Sequence, residues 1–227
     1  MPKVKEFLKN HKQFLLGLYI FIYAPWFAYL ESAITTNYHV IHTALDDRIP
    51  FCEYFVLPYY AWFGYVGVIA VFIAIKDGPT CWKMGMYLLT GMTIFLIISS
   101  LYPNGLNLRP QVFPRENFCT ALVQAMYRTD TPTNVLPSLH VYNAIGMHIT
   151  LCVSPLLKNR RKIKAGSLVL MLLIVLSTMF IKQHSVIDVA AACLMAAIMY
   201  GVSFVILPRA VRSYKAKEKS VKTGMQI

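Results

Sequence analysis

MGMYLLTGMTIFLIISSLY, residues 84–102, runs for nineteen positions without a charge. At the rise of an α-helix such a run is about 28 Å long, close to the thickness of a bilayer's hydrocarbon core. Five more apolar runs flank it, at residues 13–30, 54–75, 138–156, 165–181 and 186–207. The whole chain of 227 residues is 57% hydrophobic and only 14% charged, a balance that soluble domains of this size rarely carry. These runs predict an all-α integral-membrane fold: one six-transmembrane-helix bundle over residues 13–207, with no second domain and no internal repeat. Residues 1–12 read as a basic interfacial leader and 208–227 as a solvated basic tail without chemistry of its own. No small-residue cleavage site follows the first run, so it reads as a retained span rather than a signal peptide.

The net charge of +12 would suit nucleic acid if it formed one patch. Instead, 17 of the 22 lysines and arginines fall in the leader, the tail and two alternate connections. The other connections hold Arg48, Arg109, Arg115, Arg128 and Lys182 together with most of the acids. That alternation is the positive-inside pattern and predicts both termini in the cytoplasm. The charge therefore reads as topology, with some attraction to anionic headgroups, and argues against a nucleic-acid partner.

The connection over residues 31–53 contains His39, His42 and the Asp46-Asp47 pair. No third ligand stands at a recognisable spacing and adjacent aspartates do not face one way, so no metal is expected there. It reads as a wet loop or a lid beside the lipid surface. In the second span Tyr59, Tyr60, Trp62, Phe63 and Tyr65 read first as interface anchors and, as a lesser reading, as the lining of a route for a lipid chain. Gly64 and Gly67 are expected to permit close helix packing. The long connection 103–136 has room for a short helix over 118–127, and connections of this length tend to be functional. Cys52 and Cys119 fall in outward connections, where oxidation to a disulfide is permitted.

Three polar clusters stand at span ends. Arg109-Pro110 follows the third span, Pro137-Ser138-Leu139-His140 opens the fourth, and His184-Ser185-Val186-Ile187-Asp188 joins the fifth to the sixth. The charge-derived topology puts all three on the extracytoplasmic side, and it rests chiefly on lysines and arginines elsewhere in the chain. Pro137 sits where a first helical residue is expected, and the N–H groups of that helix start make a seat for phosphate. Two imidazoles, a carboxylate, an arginine and a hydroxyl can carry phosphoryl transfer without a metal. One imidazole attacks phosphorus while a carboxylate on its other nitrogen fixes the tautomer. The second imidazole protonates the leaving oxygen, and the remaining donors stabilise the equatorial oxygens. Ser185 and Asp188 also have the spacing of a capping box, a role compatible with the first. His148, deeper in the fourth span, reads as a partner in an interhelical hydrogen bond.

These residues resemble the type 2 phosphatidic acid phosphatase superfamily of integral-membrane lipid phosphatases. Its pattern is Lys-x6-Arg-Pro, then Pro-Ser-Gly-His, then Ser-Arg-x5-His-x3-Asp. Arg109-Pro110 match the end of the first motif, Pro137, Ser138 and His140 the second, and Ser177, His184 and Asp188 the third. Tyr102, Leu139 and Thr178 stand where the pattern has lysine, glycine and arginine. The reduced cation set is similar to the branch that contains sphingolipid-synthase-like proteins. The resemblance implies His184 as nucleophile, Asp188 as its orienting partner and His140 as general acid. Arg109 and Ser138 would bind phosphate, Lys182 would supply a missing cation, and Arg115 or Arg128 would be further candidates.

The expected function is therefore a metal- and cofactor-independent lipid phosphatase with a phosphohistidine intermediate. Phosphatidic acid, phosphatidylglycerol phosphate and polyprenyl diphosphates are the candidate substrates. Transfer of a headgroup to a second lipid is the alternative, and a non-catalytic transporter or scaffold the third. The expected setting is a bacterial inner membrane, with the site facing outward and lipid as the partner; the oligomeric state is left open.

Overall fold

The structure, a computed structural model, describes residues 12–224, so all of the basic leader except Lys12 lies outside the described residues. A 3-10 helix at Lys12–Tyr19 leads into α1 (Ile20–Ala33). Then come β1 (His39–Val40), α2 (Ala44–Arg48), α3 (Val56–Lys76) and α4 (Gly78–Leu101). They are followed by β2 (Asn104–Gly105), α5 (Phe118–Thr129), α6 (Leu139–Val153), α7 (Arg161–Phe180) and α8 (Val186–Tyr200). A π-helical turn at Gly201–Ile206 carries α8 into α9 (Leu207–Gly224), so the start of the basic tail is helical.

Among the described residues, five helical stretches are long and apolar enough to cross a membrane: Lys12–Ala33, Glu53–Lys76, Gly78–Leu101, Arg161–Phe180 and Val186–Tyr214. They coincide with five of the six expected spans. The remaining one, at 138–156, is the 15-residue α6, about 22 Å long and below that length. It packs against α3, α4, α7 and α8, and Val141, Tyr142, Ala144 and Met147 are fully buried. Outward-facing Val68 of α3 and Leu194 of α8 are exposed, as lipid-facing side chains are.

Capping fixes where the helices turn. The Asp77 carboxylate accepts the Thr80 N–H at 3.1 Å to start α4, and its other oxygen accepts the Ser154 hydroxyl at 2.7 Å, which ties down the end of α6. Halfway along, α4 and α6 exchange rings. Tyr87 and Tyr142 stack at 4.4 Å, each covering a glycine of the facing helix, Gly146 and Gly91. A Cβ on either glycine would lie 2.2 Å from that ring. Gly85 against Leu16 and Gly105 against Tyr38 are also closely packed. The expectation for Gly64 and Gly67 is overturned, since both are exposed and an added Cβ there would meet nothing within 4 Å. His148 behaves as expected: its Nδ1 lies 3.0 Å from the Ser167 hydroxyl of α7, which also meets Tyr65 at 2.7 Å.

At one end of the bundle the connections form a second layer. β1 and β2 pair in parallel, His39 with Asn104 and Val40 with Gly105, and Gly105 bridges to Thr133. Ile41, Leu106 and Val135 are buried together beneath them. The connection 31–53 is therefore anchored by short structured pieces, while most of its side chains stay exposed as a wet loop's would be. The expected short helix at 118–127 is present as α5. Cys52 and Cys119 are separate thiols.

Candidate active site

The stretch Thr133–His140 is shaped by one carboxamide. Asn104, fully buried, accepts the Val135 and Leu136 N–H groups on Oδ1 at 2.9 Å each, while its Nδ2 donates to the Tyr102 carbonyl at 2.8 Å. The chain then passes a cis Leu136–Pro137 peptide and enters α6 with Ser138 as N-cap. Pro137 is therefore not the first helical residue; that position belongs to Leu139. His140, one residue further, stacks on Tyr59 at 4.4 Å and packs against Trp62 at 4.5 Å.

The second imidazole comes from the end of α7. Lys182 takes the left-handed conformation (φ 55°), and the Thr178 carbonyl accepts both the Gln183 and His184 N–H groups, at 2.9 and 3.0 Å. This tight turn points His184 back toward α6, where its ring centroid lies 6.0 Å from that of His140. Asp188 Oδ2 accepts the Ser185 N–H at 2.9 Å in the capping box and lies 3.4 Å from His184 Nδ1. The two expected roles of Asp188 thus coexist in geometry. The carboxylate faces Nδ1, which leaves Nε2 as the nitrogen turned away from it.

A second carboxylate stands behind the first. Asp46 of α2 is buried, accepts the Ser185 hydroxyl at 2.6 Å and the Val186 N–H at 2.8 Å, and so occupies the start of α8 itself. Lys182 faces the same segment, its ammonium donating to the carbonyls of Asp46 and Ile49 at 2.7 and 2.6 Å, and burial lowers its pKa. It does not line the cavity described below. Ser138 is fully buried, its hydroxyl accepting the Val141 N–H at 3.4 Å. Arg109 turns its guanidinium to the carbonyls of Tyr127 and Asp130 and to Gln183 Oε1, at 3.2, 2.8 and 2.8 Å, and covers the Tyr127 ring at 4.3 Å. Burial lowers its pKa while Tyr127 and Asp130 oppose the shift. Arg115 goes instead to Glu53 at 3.4 Å, and Arg128 is exposed. The structure thus brings His140, His184 and Asp188 together. The three expected phosphate-binding side chains, Arg109, Ser138 and Lys182, are engaged with backbone groups and neighbouring side chains.

Both imidazoles open on one cavity of about 320 Å³. Tyr59, Tyr60, Trp62 and Phe63 line it, so the stripe read first as an anchor lines an internal space. Its polar wall contains residues that the sequence reading did not single out, chiefly Glu31, Asn134, Asn143 and Gln183. Glu31 accepts Asn134 Nδ2 at 2.7 Å and the Thr131 hydroxyl. The one available signal was an acid closing an apolar span, where an ionisable group needs a partner. Several buried polar atoms around the cavity have no partner among the described residues: His140 Nε2, Asn134 Oδ1, Asn143 Oδ1 and Gln183 Nε2, while His184 Nδ1 has the 3.4 Å approach of Asp188 without a hydrogen bond. Such atoms are costly unless a ligand or water meets them. His39 and His42 are engaged elsewhere, with Tyr102 and Asp47, and no group of potential metal ligands occurs among the described residues.

A family model described as the PAP2 superfamily matches residues 84–212, more than half of the chain and all three polar clusters. No curated protein and no solved structure matches the chain.

Proposed function

The chain belongs to the PAP2 superfamily, whose members are phosphatases and phosphotransferases, and on that premise we propose that it cleaves lipid phosphate esters through a phosphohistidine on His184. The convergence of His140, His184 and Asp188 on one aromatic-lined cavity carries this reading. His184 Nε2 attacks phosphorus, forming the P–N bond as the P–O bond to the lipid breaks. Asp188, beside Nδ1, holds the tautomer and stabilises the positive ring that results. His140 donates a proton to the departing lipid oxygen and then takes one from the water that attacks the phosphohistidine. That water carries hydroxide to phosphorus, the P–N bond breaks, and both imidazoles return to their first state. The site works on the extracytoplasmic face of a cell membrane, with α6 as the sixth crossing and both termini inside, in keeping with the lysine and arginine bias.

A second reading replaces water with the hydroxyl of an acceptor lipid. It is favoured by the absence of lysine and arginine from the cavity lining among the described residues, because a phosphodiester needs less cationic compensation than a monoester. The test is turnover of phosphorus-labelled phosphatidic acid, phosphatidylglycerol phosphate, polyprenyl diphosphate and diester phospholipids in detergent with chelator, with and without diacylglycerol. His184→Ala is expected to lose about 10⁴-fold or more of the activity, as removal of a nucleophile does. A variant as active as the parent would end the phosphohistidine reading, while label appearing in a new lipid would favour transfer over hydrolysis.

A further inference from the structure

The cavity has no spare cation for a bare phosphate. Its lining contains two carboxylates, Glu31 and Asp130, and no lysine or arginine among the described residues. Arg109, bonded to the Asp130 carbonyl, offsets one of them from behind. With His184 neutral and His140 carrying the proton it later gives up, these charges cancel, and none is left over to offset an entering phosphate. A substrate that brings its own cation restores the balance.

The polar groups specify what kind of cation. Asn134 Nδ2 is committed to Glu31 Oε1, so its amide orientation is set and Oδ1 remains an acceptor. That oxygen is unpartnered on a residue only 6% exposed, and Asn143 Oδ1, on a residue 5% exposed, is in the same state. Carboxylate and amide oxygens here ask for N–H or O–H donors. Aromatic rings complete the wall: Phe27, one helical turn before Glu31, and Tyr23, two turns before it, stack at 5.6 Å and line the same cavity. Aromatic faces beside carboxylates favour an ammonium over a neutral polyol. A quaternary ammonium would leave the amide oxygens unmatched, which costs affinity, whereas a primary ammonium supplies three donors.

We propose that the Glu31–Asn134 side of the cavity binds the primary ammonium of a zwitterionic phospholipid headgroup, with its phosphodiester at the two histidines. The proposal rests on the reading of the cavity as a lipid-phosphate site. In the reaction His184 would displace diacylglycerol, which takes the proton from His140, and the aminoalkyl phosphate would stay on the imidazole until water or a lipid hydroxyl removes it.

Binding tests this separately from turnover. Thermal stabilisation of the full chain in detergent is titrated with glycerophosphoethanolamine, glycerophosphocholine and glycerophosphoglycerol, and with the three corresponding lysophospholipids. The ethanolamine forms are expected to stabilise at about tenfold lower concentration than the glycerol forms. The choline forms should fall between, and each lysolipid should bind more tightly than its free headgroup. Glu31→Gln should bring ethanolamine and glycerol forms within about twofold of each other. If that variant does not fold, Asp130→Asn is expected to narrow the same ratio. A glycerol form that binds as well as the ethanolamine form, or a preference that survives both substitutions, would overturn the proposal. A free headgroup binding better than its lysolipid would overturn the assignment to lipid. Turnover unchanged in His184→Ala, with the ammonium preference intact, would fault the catalytic reading alone.

Discussion

Two faces of α6 are built by opposite rules. Toward α4, Tyr142 and Tyr87 stack, and each hydroxyl donates to the other's backbone carbonyl, at 2.6 and 3.2 Å, with both rings fully buried. Every polar group of the two side chains is met by the fold itself. Toward the cavity the same helix presents His140 and Asn143, whose Nε2 and Oδ1 have no partner among the described residues. The contrast separates polar atoms that hold the bundle together from polar atoms held in readiness by it. Unmatched groups on the second face are affordable because the first face is so closely packed.

The strongest way to break the comparison is to spoil the first face. Gly146→Ala places a methyl 2.2 Å from the Tyr87 ring, which must then move off its stack. Overpacking of this kind should cost ~3 kcal/mol, seen as a large fall in melting temperature or in yield. An unchanged melting temperature would show that the clasp is loose. Asn104→Ala strips the acceptor from two N–H groups and should cost about 2 kcal/mol. It should also reduce turnover although Asn104 is not a lining residue, and equal activity at equal stability would separate this brace from the site. Asp46→Asn keeps the shape but removes the charge and leaves one acceptor oxygen for the Ser185 hydroxyl and the Val186 N–H, which now use one carboxylate oxygen each. A cap loss of about 1–2 kcal/mol is expected, with kcat falling more than KM because His184 and Asp188 flank that turn.

The smallest effect belongs to His42, whose exposed ring meets Asp47 at 2.9 Å. The hydrogen bond to Asp47 raises its pKa. Because the folded value is the higher one, its stabilisation is complete below the ordinary histidine pKa and fades as pH rises through the raised value. His42→Asn should therefore narrow any difference in melting temperature between about pH 5.5 and pH 8, with no change in lipid turnover. A large effect would mean that the outer face matters more than its exposure suggests.

Five of the span positions and the proximity of His140, His184 and Asp188 were legible because they rest on local signals: apolar run length and polar residues ordered at span ends. What was not legible acts across distance. Asp46 reaches Ser185 and Glu31 reaches Asn134 over more than a hundred residues, and neither has a local pattern to announce it. The glycines show the same limit. Gly64 and Gly91 look alike in sequence, yet only Gly91 faces a ring, and that depends on which helix lies opposite. Lys182 and Arg109 were read by type as cations for phosphate. Carbonyl groups nearby offered them closer partners, and a sequence does not display its carbonyls.

The parallel pairing of β1 with β2, together with the Asp46 contact, means that the 31–53 segment is stitched to the supports of both histidines. A single protease nick or an inserted tag there would slacken the entry to α6 and the start of α8 at once. Inactivation by such a cut would arrive as one event, even though no bond near either imidazole had been touched.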